Sequence, residues 1–174
     1  MRWYRKSAAA GNPSAMDDIG YIYAHGLGVT VDFGEAMRWY RNAADAGNIA
    51  AMNNVGFLYM EGDGVLKDYA DAMKWYSKAA DAEHPSSIGN IGFMYMEGMG
   101  VEKDYVRAMT MFRRVLEIVG DGAGHGEIMV NIGSLYLNGL GVPKDEVEAR
   151  KWFHNAADAG NKEAAKWLAD NPGR

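Results

Sequence analysis

The chain has 174 residues, 48% of them hydrophobic and 24% charged, with a formal charge of −5; that is the composition of a folded domain long enough to bury a sizeable core. The acid excess argues against general affinity for nucleic acid or anionic lipid unless the cations are segregated on one face. No apolar run approaches the roughly 18 residues of a membrane span, and the absence of cysteine removes disulfides and thiolate metal ligands while leaving the compartment open.

Residues 1–12, "MRWYRKSAAAGN", lack the apolar core of a secretory signal and match the second half of a unit that recurs downstream, with Trp3 falling on Trp39. The chain thus starts in mid-repeat, which suggests a fragment of a longer protein. Complete units are expected over 13–48, 49–84, 85–125 and 126–161, all within a single repeat domain, and residues 162–174 open a further partial unit or capping helix. The first two shifts are 36 residues and the third is 41, because "VGDGAGHG" at 119–126 carries five extra residues. Repeats of this length mean stacked supersecondary units, so one unit explains the architecture.

Apolar residues within a unit recur at three- and four-residue intervals, as at Met52, Val55 and Tyr59, which predicts two amphipathic helices per unit. Gly26, Gly62, Gly98 and Gly139 suit the left-handed turn that closes a first helix. Asp32, Asp68, Asp104 and Asp145 suit the N-cap of a second, and Glu35, Asp71 and Glu148 three residues on resemble a capping box. Gly47 and Gly160 close second helices, and Pro13 and Pro85 open first ones. Gly20, Gly56, Gly92 and Gly133 lie inside the first helices, where each costs about 1 kcal/mol against alanine; close contact under the rings of Tyr23, Tyr59, Tyr95 or Tyr136 is the expected compensation.

The recurring pattern A-x-x-x-[LIV]-G-x-x-Y-x-x-G-x-G-V-x-x-D-x-x-x-A-x-x-W-[YF]-x-x-A-A-x-x-G resembles the Sel-one-like repeat (SLR), a relative of the tetratricopeptide repeat with a longer turn between its helices. The resemblance covers about residues 1–170 and implies an all-α fold, an α-solenoid of antiparallel helix pairs. Unit three departs from the pattern: Met111 replaces the Trp, and Val115 and Leu116 replace the Ala pair.

Chemistry has little purchase on this sequence. The Gly-x-Gly stretches follow helices and lack the Lys-Ser/Thr pair of a phosphate loop. His25, His84, His125 and His154 occupy different positions of the unit and form no ligand set; neither a catalytic constellation, a metal nor a cofactor is expected. The Gly-rich insertion reads as a surface loop. Trp39, Trp75 and Trp152, with the tyrosines at 23, 59, 95 and 136, read as core.

The surface is more informative. First helices of stacked pairs usually line the concave side, and equivalent residues form columns: Asp18, Asn54, Asn90, Asn131, then Tyr21, Phe57, Phe93, Ser134, then Glu61, Glu97, Asn138. Asn amides pair with an extended backbone, and aromatics and the adjacent Met60 and Met96 offer pockets; alternatively, the Asn column bonds between neighbouring helices. Segments 13–25, 49–61, 85–97 and 126–138 contain no Lys or Arg, so this face favours neutral or basic segments over carboxylates and phosphates. The column Arg2, Arg38, Lys74, Lys151 lies on second helices, with Asp71 and Glu148 spaced to pair with Lys74 and Lys151. The reading is a non-catalytic scaffold or adaptor binding protein or peptide segments, with Asp18, Tyr21, Asn54, Phe57, Glu61, Asn90, Phe93, Glu97 and Asn131 as the site. Neither a nucleic-acid partner nor membrane insertion is expected, and exposed repeat ends could self-associate. Two other readings stand beside it: a structural spacer within a larger protein, and a hydrolase or antibiotic-binding protein, which the resemblance suggests for cysteine-rich members whose paired cysteines this chain lacks.

Overall fold

The computed structural model describes residues 1–120 and 124–172; Asp121–Ala123 of the Gly-rich insertion lie outside the described residues. The chain forms two compact units, residues 1–87 and 88–174. Helices α1 (Arg2–Ala9), α2 (Pro13–His25), α3 (Phe33–Asp45), α4 (Ile49–Glu61) and α5 (Tyr69–Asp81) belong to the first. The second holds most of α6 (Pro85–Glu97), then α7 (Tyr105–Val119), α8 (Gly126–Asn138), α9 (Glu146–Asp158) and α10 (Lys162–Asp170). The fold is all-α, and within each unit consecutive helices pack on one another: α2 on α3, α3 on α4 and α4 on α5 in the first, α8 on α9 and α9 on α10 in the second.

The recurring glycines and aspartates set these helix boundaries. Gly26, Gly62, Gly98 and Gly139 all have positive φ. In each case the amide of the following residue returns to a carbonyl five residues back, as Leu27 does to Ile22 and Asp63 to Leu58, which is the Schellman closure of a helix C-terminus. Each second helix then starts on an aspartate. Asp32, Asp68, Asp104 and Asp145 accept the amides of Glu35, Asp71, Arg107 and Glu148 at 2.9 Å. The reciprocal half of a capping box is absent, because the aspartate amides are already spent on the carbonyls of Tyr23, Tyr59, Tyr95 and Tyr136, while Glu35, Asp71 and Glu148 turn to Arg38, Lys74 and Lys151. These bonds to the tyrosine carbonyls fold each loop back over the helix it leaves.

The helix-interior glycines pack beneath different rings from those expected. A Cβ on Gly20 or Gly56 would meet the ring of Tyr40 or Tyr76 at 2.6 and 2.8 Å, and one on Gly92 or Gly133 would meet Phe112 or Phe153 at 2.7 and 3.1 Å. Tyr40, Tyr76, Phe112 and Phe153 are all buried. Tyr23, Tyr59 and Tyr136 instead direct their hydroxyls to Arg5, Arg41 and Arg113 of the preceding second helix. Trp39, Trp75 and Trp152 are only partly buried, with Arg38 and Lys78 lying over the rings of Trp39 and Trp75. Adjacent residues on a helix point about 100° apart, so Tyr40 and Tyr76 fill the interior and the preceding Trp lies at its margin.

The third repeat accommodates its larger residues by local exchange. Val115 and Leu116 are buried where other repeats have alanine, and Ile128 sits 3.1 Å from where a Cβ of Gly89 would be, so that glycine leaves room for both Ile128 and Val115. Helix α7 has 15 residues against 13 for α3, α5 and α9, which absorbs part of the insertion as extra helix. Gly126 then begins α8, where a Cβ would come within 2.7 Å of Asn161.

One cap carries a pH dependence. Where α2, α4 and α10 use Asn12, Asn48 and Asn161 as caps, position 84 is histidine. His84 Nδ1 accepts the Ser87 amide at 3.3 Å and lies 3.0 Å from Ser87 Oγ, and that hydroxyl donates to Asn53 at 2.9 Å. Only neutral imidazole offers the lone pair this cap needs, and burial lowers the His84 pKa below its ordinary 6.5. The unfolded chain therefore binds more protons than the folded one between the lowered pKa and 6.5, so this group's contribution is full above that window and is lost as pH falls through it. His84→Asn keeps a capping oxygen without the titration; its urea midpoint should fall less than the parent's between about pH 7.5 and about pH 5. Equal falls would remove His84 from the acid response.

Candidate functional site

The expected site residues lie on the first helices, which carry no lysine or arginine. In the first unit, Asp17, Asp18 and Tyr21 stand on α2, and Asn54, Phe57 and Glu61 on α4. Three- and four-residue spacing puts each set on one helical stripe. The two helices are registered by a hydrogen bond from Asn54 Nδ2 to Asp17 Oδ1 at 3.0 Å. Burial raises the Asp17 pKa, the Asn54 bond works against that shift, and the neighbouring Asp18 charge adds to it. Asn54 is thus partly committed to the packing between repeats, and Asp17, outside the predicted set, is its partner.

One turn beyond that bond the chemistry becomes apolar and open. Tyr21 and Phe57 are 49% and 46% exposed, and the Tyr21 ring stacks on His25 with centroids 3.9 Å apart. Such exposure of large rings is what a recognition surface leaves unburied. Asp18 and Glu61 are exposed and have no ion-pair partner among the described residues. Asp18 also lines an open cleft of about 340 Å³ with Trp3, Tyr4 and Ser7. Arg41 does reach α4, but at the Tyr59 hydroxyl, about 200° around the helix from Phe57 at two residues' separation. Met60 is less available than its place suggests, since its sulfur lies 3.8 Å from the Tyr76 hydroxyl.

The corresponding residues of the second unit are arranged differently. Phe93, Asn90 and Asn131 are half-buried, Glu97 lies 3.9 Å from Lys103, and Asn138 bonds the Ser134 carbonyl of its own helix at 2.8 Å. The open aromatic and unpaired acidic character is therefore concentrated on α2 and α4.

Several second-helix cations are ion-paired in place. Arg38 meets Glu35 at 2.6 Å, Lys74 meets Asp71 at 2.7 Å, and Lys151 meets Glu148 at 2.9 Å; these partners lower the Glu35 pKa and raise those of Lys74 and Lys151. Such exposed pairs add little stability, but they draw Arg38, Lys74 and Lys151 of the basic column onto neighbouring acids. Among the described residues no three His, Asp or Glu side chains gather as a metal site, and no helix is long and apolar enough to cross a membrane.

Recurring helix pairs, each joined by a Gly-x-Gly turn and packed within the pair through a glycine-under-ring contact, define a protein of the helical-repeat class. The Sel1 repeat family model matches residues 1–12, 13–48, 49–84, 85–114 and 127–161, and the chain belongs to that family. Its members are commonly protein-interaction scaffolds, and the fold is generally non-catalytic. A Sel1 repeat protein of Oxalobacter formigenes is similar at 35% identity and a TM-score of 0.88, over 98% of this chain and 67% of that one. A protective antigen of uropathogenic Escherichia coli strains, with an SLR fold, is similar at 34% identity and a TM-score of 0.83; this chain is covered over 97% but spans only 35% of that protein. Cysteine-rich protein B of Helicobacter pylori shares the fold at 20% identity and a TM-score of 0.57, over 79% of this chain and 96% of that one. A search of curated proteins finds no match.

Proposed function

We propose that the chain is a non-catalytic adaptor that binds an extended protein segment along its first-helix face, with the principal contacts on α2 and α4. The observation that carries this reading is the pair of exposed rings, Tyr21 and Phe57, on two adjacent first helices that hold carboxylates and no cation. Rings held on rigid helices contribute contact area at small entropic cost, and Asn54 Oδ1, the acceptor side of an amide whose nitrogen goes to Asp17, remains for a peptide N–H. The lack of basic groups disfavours acidic and C-terminal carboxylate ligands, which need positive partners when desolvated. A neutral or basic segment is therefore the preferred partner class.

Selection from a random dodecapeptide library tests the reading. Tyr21→Ala combined with Phe57→Ala should weaken the selected binders at least about tenfold, equivalent to roughly 1.4 kcal/mol, while leaving the circular dichroism spectrum unchanged. Binders that ignore this double substitution would place the site elsewhere, and an empty selection would favour a spacer role. Asn54→Ala is the poorer probe, because it also strips the half-buried Asp17 carboxyl of its donor.

A further inference from the structure

The two carboxylate-bearing ends of the α2–α4 strip give it a preference beyond backbone binding. Asp18 lies one turn before Tyr21 on α2, and Glu61 lies one turn after Phe57 on α4, so each exposed ring has a solvent-facing acid one turn away on its own helix. Asp17 supplies a third, half-buried carboxyl, held by Asn54 at 3.0 Å. A guanidinium or ammonium group over an aromatic face is attracted by the ring quadrupole, and flanking carboxylates add charge-assisted hydrogen bonds. A neutral side chain gains only the ring contact. Cations elsewhere in the unit contact other groups: Arg41 at Tyr59, Arg5 at Tyr23, Arg38 at Glu35, Lys74 at Asp71, and Lys67, in the turn after α4, over the Tyr69 ring.

We infer that the strip around Tyr21 and Phe57 is a subsite for one cationic side chain, arginine in preference to lysine, of a basic peptide segment, with Asp18 or Glu61 as its charge partner. Arginine is preferred because its planar guanidinium both stacks on a ring and forms paired bonds to a carboxylate, whereas an ammonium does not stack. The inference rests on the reading of this face as a peptide groove, and it adds a charge requirement that the groove alone does not impose. It also separates the two units: Glu97 of the second is already beside Lys103 and Phe93 is half-buried, so the same preference is not expected there.

The test uses the full chain and an acetylated, amidated Ala/Gly heptapeptide bearing one central arginine, compared with its citrulline counterpart, which keeps the shape and removes the charge. Ring and backbone resonances of Tyr21 and Phe57 are followed by NMR as each peptide is added. The expected result is saturable shifts at both residues, with the arginine peptide bound about fivefold or more tightly than the citrulline peptide. Asp18→Asn combined with Glu61→Gln should erase that advantage and leave the spectrum otherwise unchanged. Equal affinity of the two peptides at these same resonances would overturn the cation subsite while leaving the groove standing. Shifts confined to other residues, or an arginine advantage that survives the double substitution, would also overturn it. Silence with both peptides would count against the subsite and the groove together.

Discussion

Gly64→Ala should lose about 3 kcal/mol of stability, whereas Gly28→Ala, the same substitution at the equivalent position one repeat earlier, should lose only about 1 kcal/mol. Both residues have similar positive φ, 70° and 75°, so the strain of placing an L side chain in the left-handed region is common to both. Their surroundings differ. A Cβ on Gly64 would stand 2.5 Å from the Phe33 carbonyl carbon and 2.8 Å from the Gly34 amide, whereas one on Gly28 would meet nothing within 4 Å. Backbone cannot turn aside as a flexible side chain can, so the turn after α4 would have to lift off the N-terminus of α3. Gly141, whose Cβ would meet the Tyr105 backbone at 2.7 Å, should behave like Gly64. Urea denaturation of the three variants reads the difference, and equal losses for Gly28 and Gly64 would mean that the Gly-x-Gly turn contributes conformation alone and not contact between repeats.

Tyr76→Ala should cost about 3–5 kcal/mol, the range for removing a fully buried aromatic ring, and Trp75→Ala only about 1–2 kcal/mol despite the larger side chain. Tyr76 is 0% exposed and covers Gly56 at a distance that admits no methyl group. Removing its ring opens a cavity against a helix that has no side chain to fill it. Trp75 is partly solvent-facing and its ring is covered by the exposed Lys78 at 4.0 Å, so its removal opens less enclosed space. Comparable losses for the two variants would show that the tryptophan, and not the following aromatic residue, is the structural anchor of each repeat.

Helix pairs, turns and caps were readable from the chain because the residues that form them are constrained one at a time. A left-handed glycine or a capping aspartate acts through its own backbone and leaves the same mark in every repeat. Identifying the ring over each glycine needed more than that. Trp39 and Tyr40 are neighbours in sequence, both large and aromatic, and only the rotation of α3 against α2 decides which one turns inward.

The strip shows the same boundary between local and stacked information. Aligning repeats puts Asp18 beside Asn54 in a column, but the hydrogen bond that joins the helices links Asn54 to Asp17, residues 37 apart. Stacking offsets the contact by one position from the repeat length, and composition gives no sign of that offset. Repeat alignment likewise puts Met60 on the open face, whereas its contact with the Tyr76 hydroxyl depends on how the second helix crosses the first. The exposed positions of Tyr21 and Phe57 were accessible from sequence because they share a stripe with polar residues on helices that hold no cation. Their concentration in the first unit was not, since Glu97 looks equivalent to Glu61 until Lys103 is placed beside it.

The central claim is that a partner lands on the first-helix face of residues 1–87. Backbone amide NMR of the full chain, titrated with the tightest peptide from the library selection, reads this residue by residue. The account predicts that shifts concentrate at Tyr21, Asn54, Phe57 and Glu61. Shifts concentrated instead on the second helices, around Arg38 and Lys74, would contradict it.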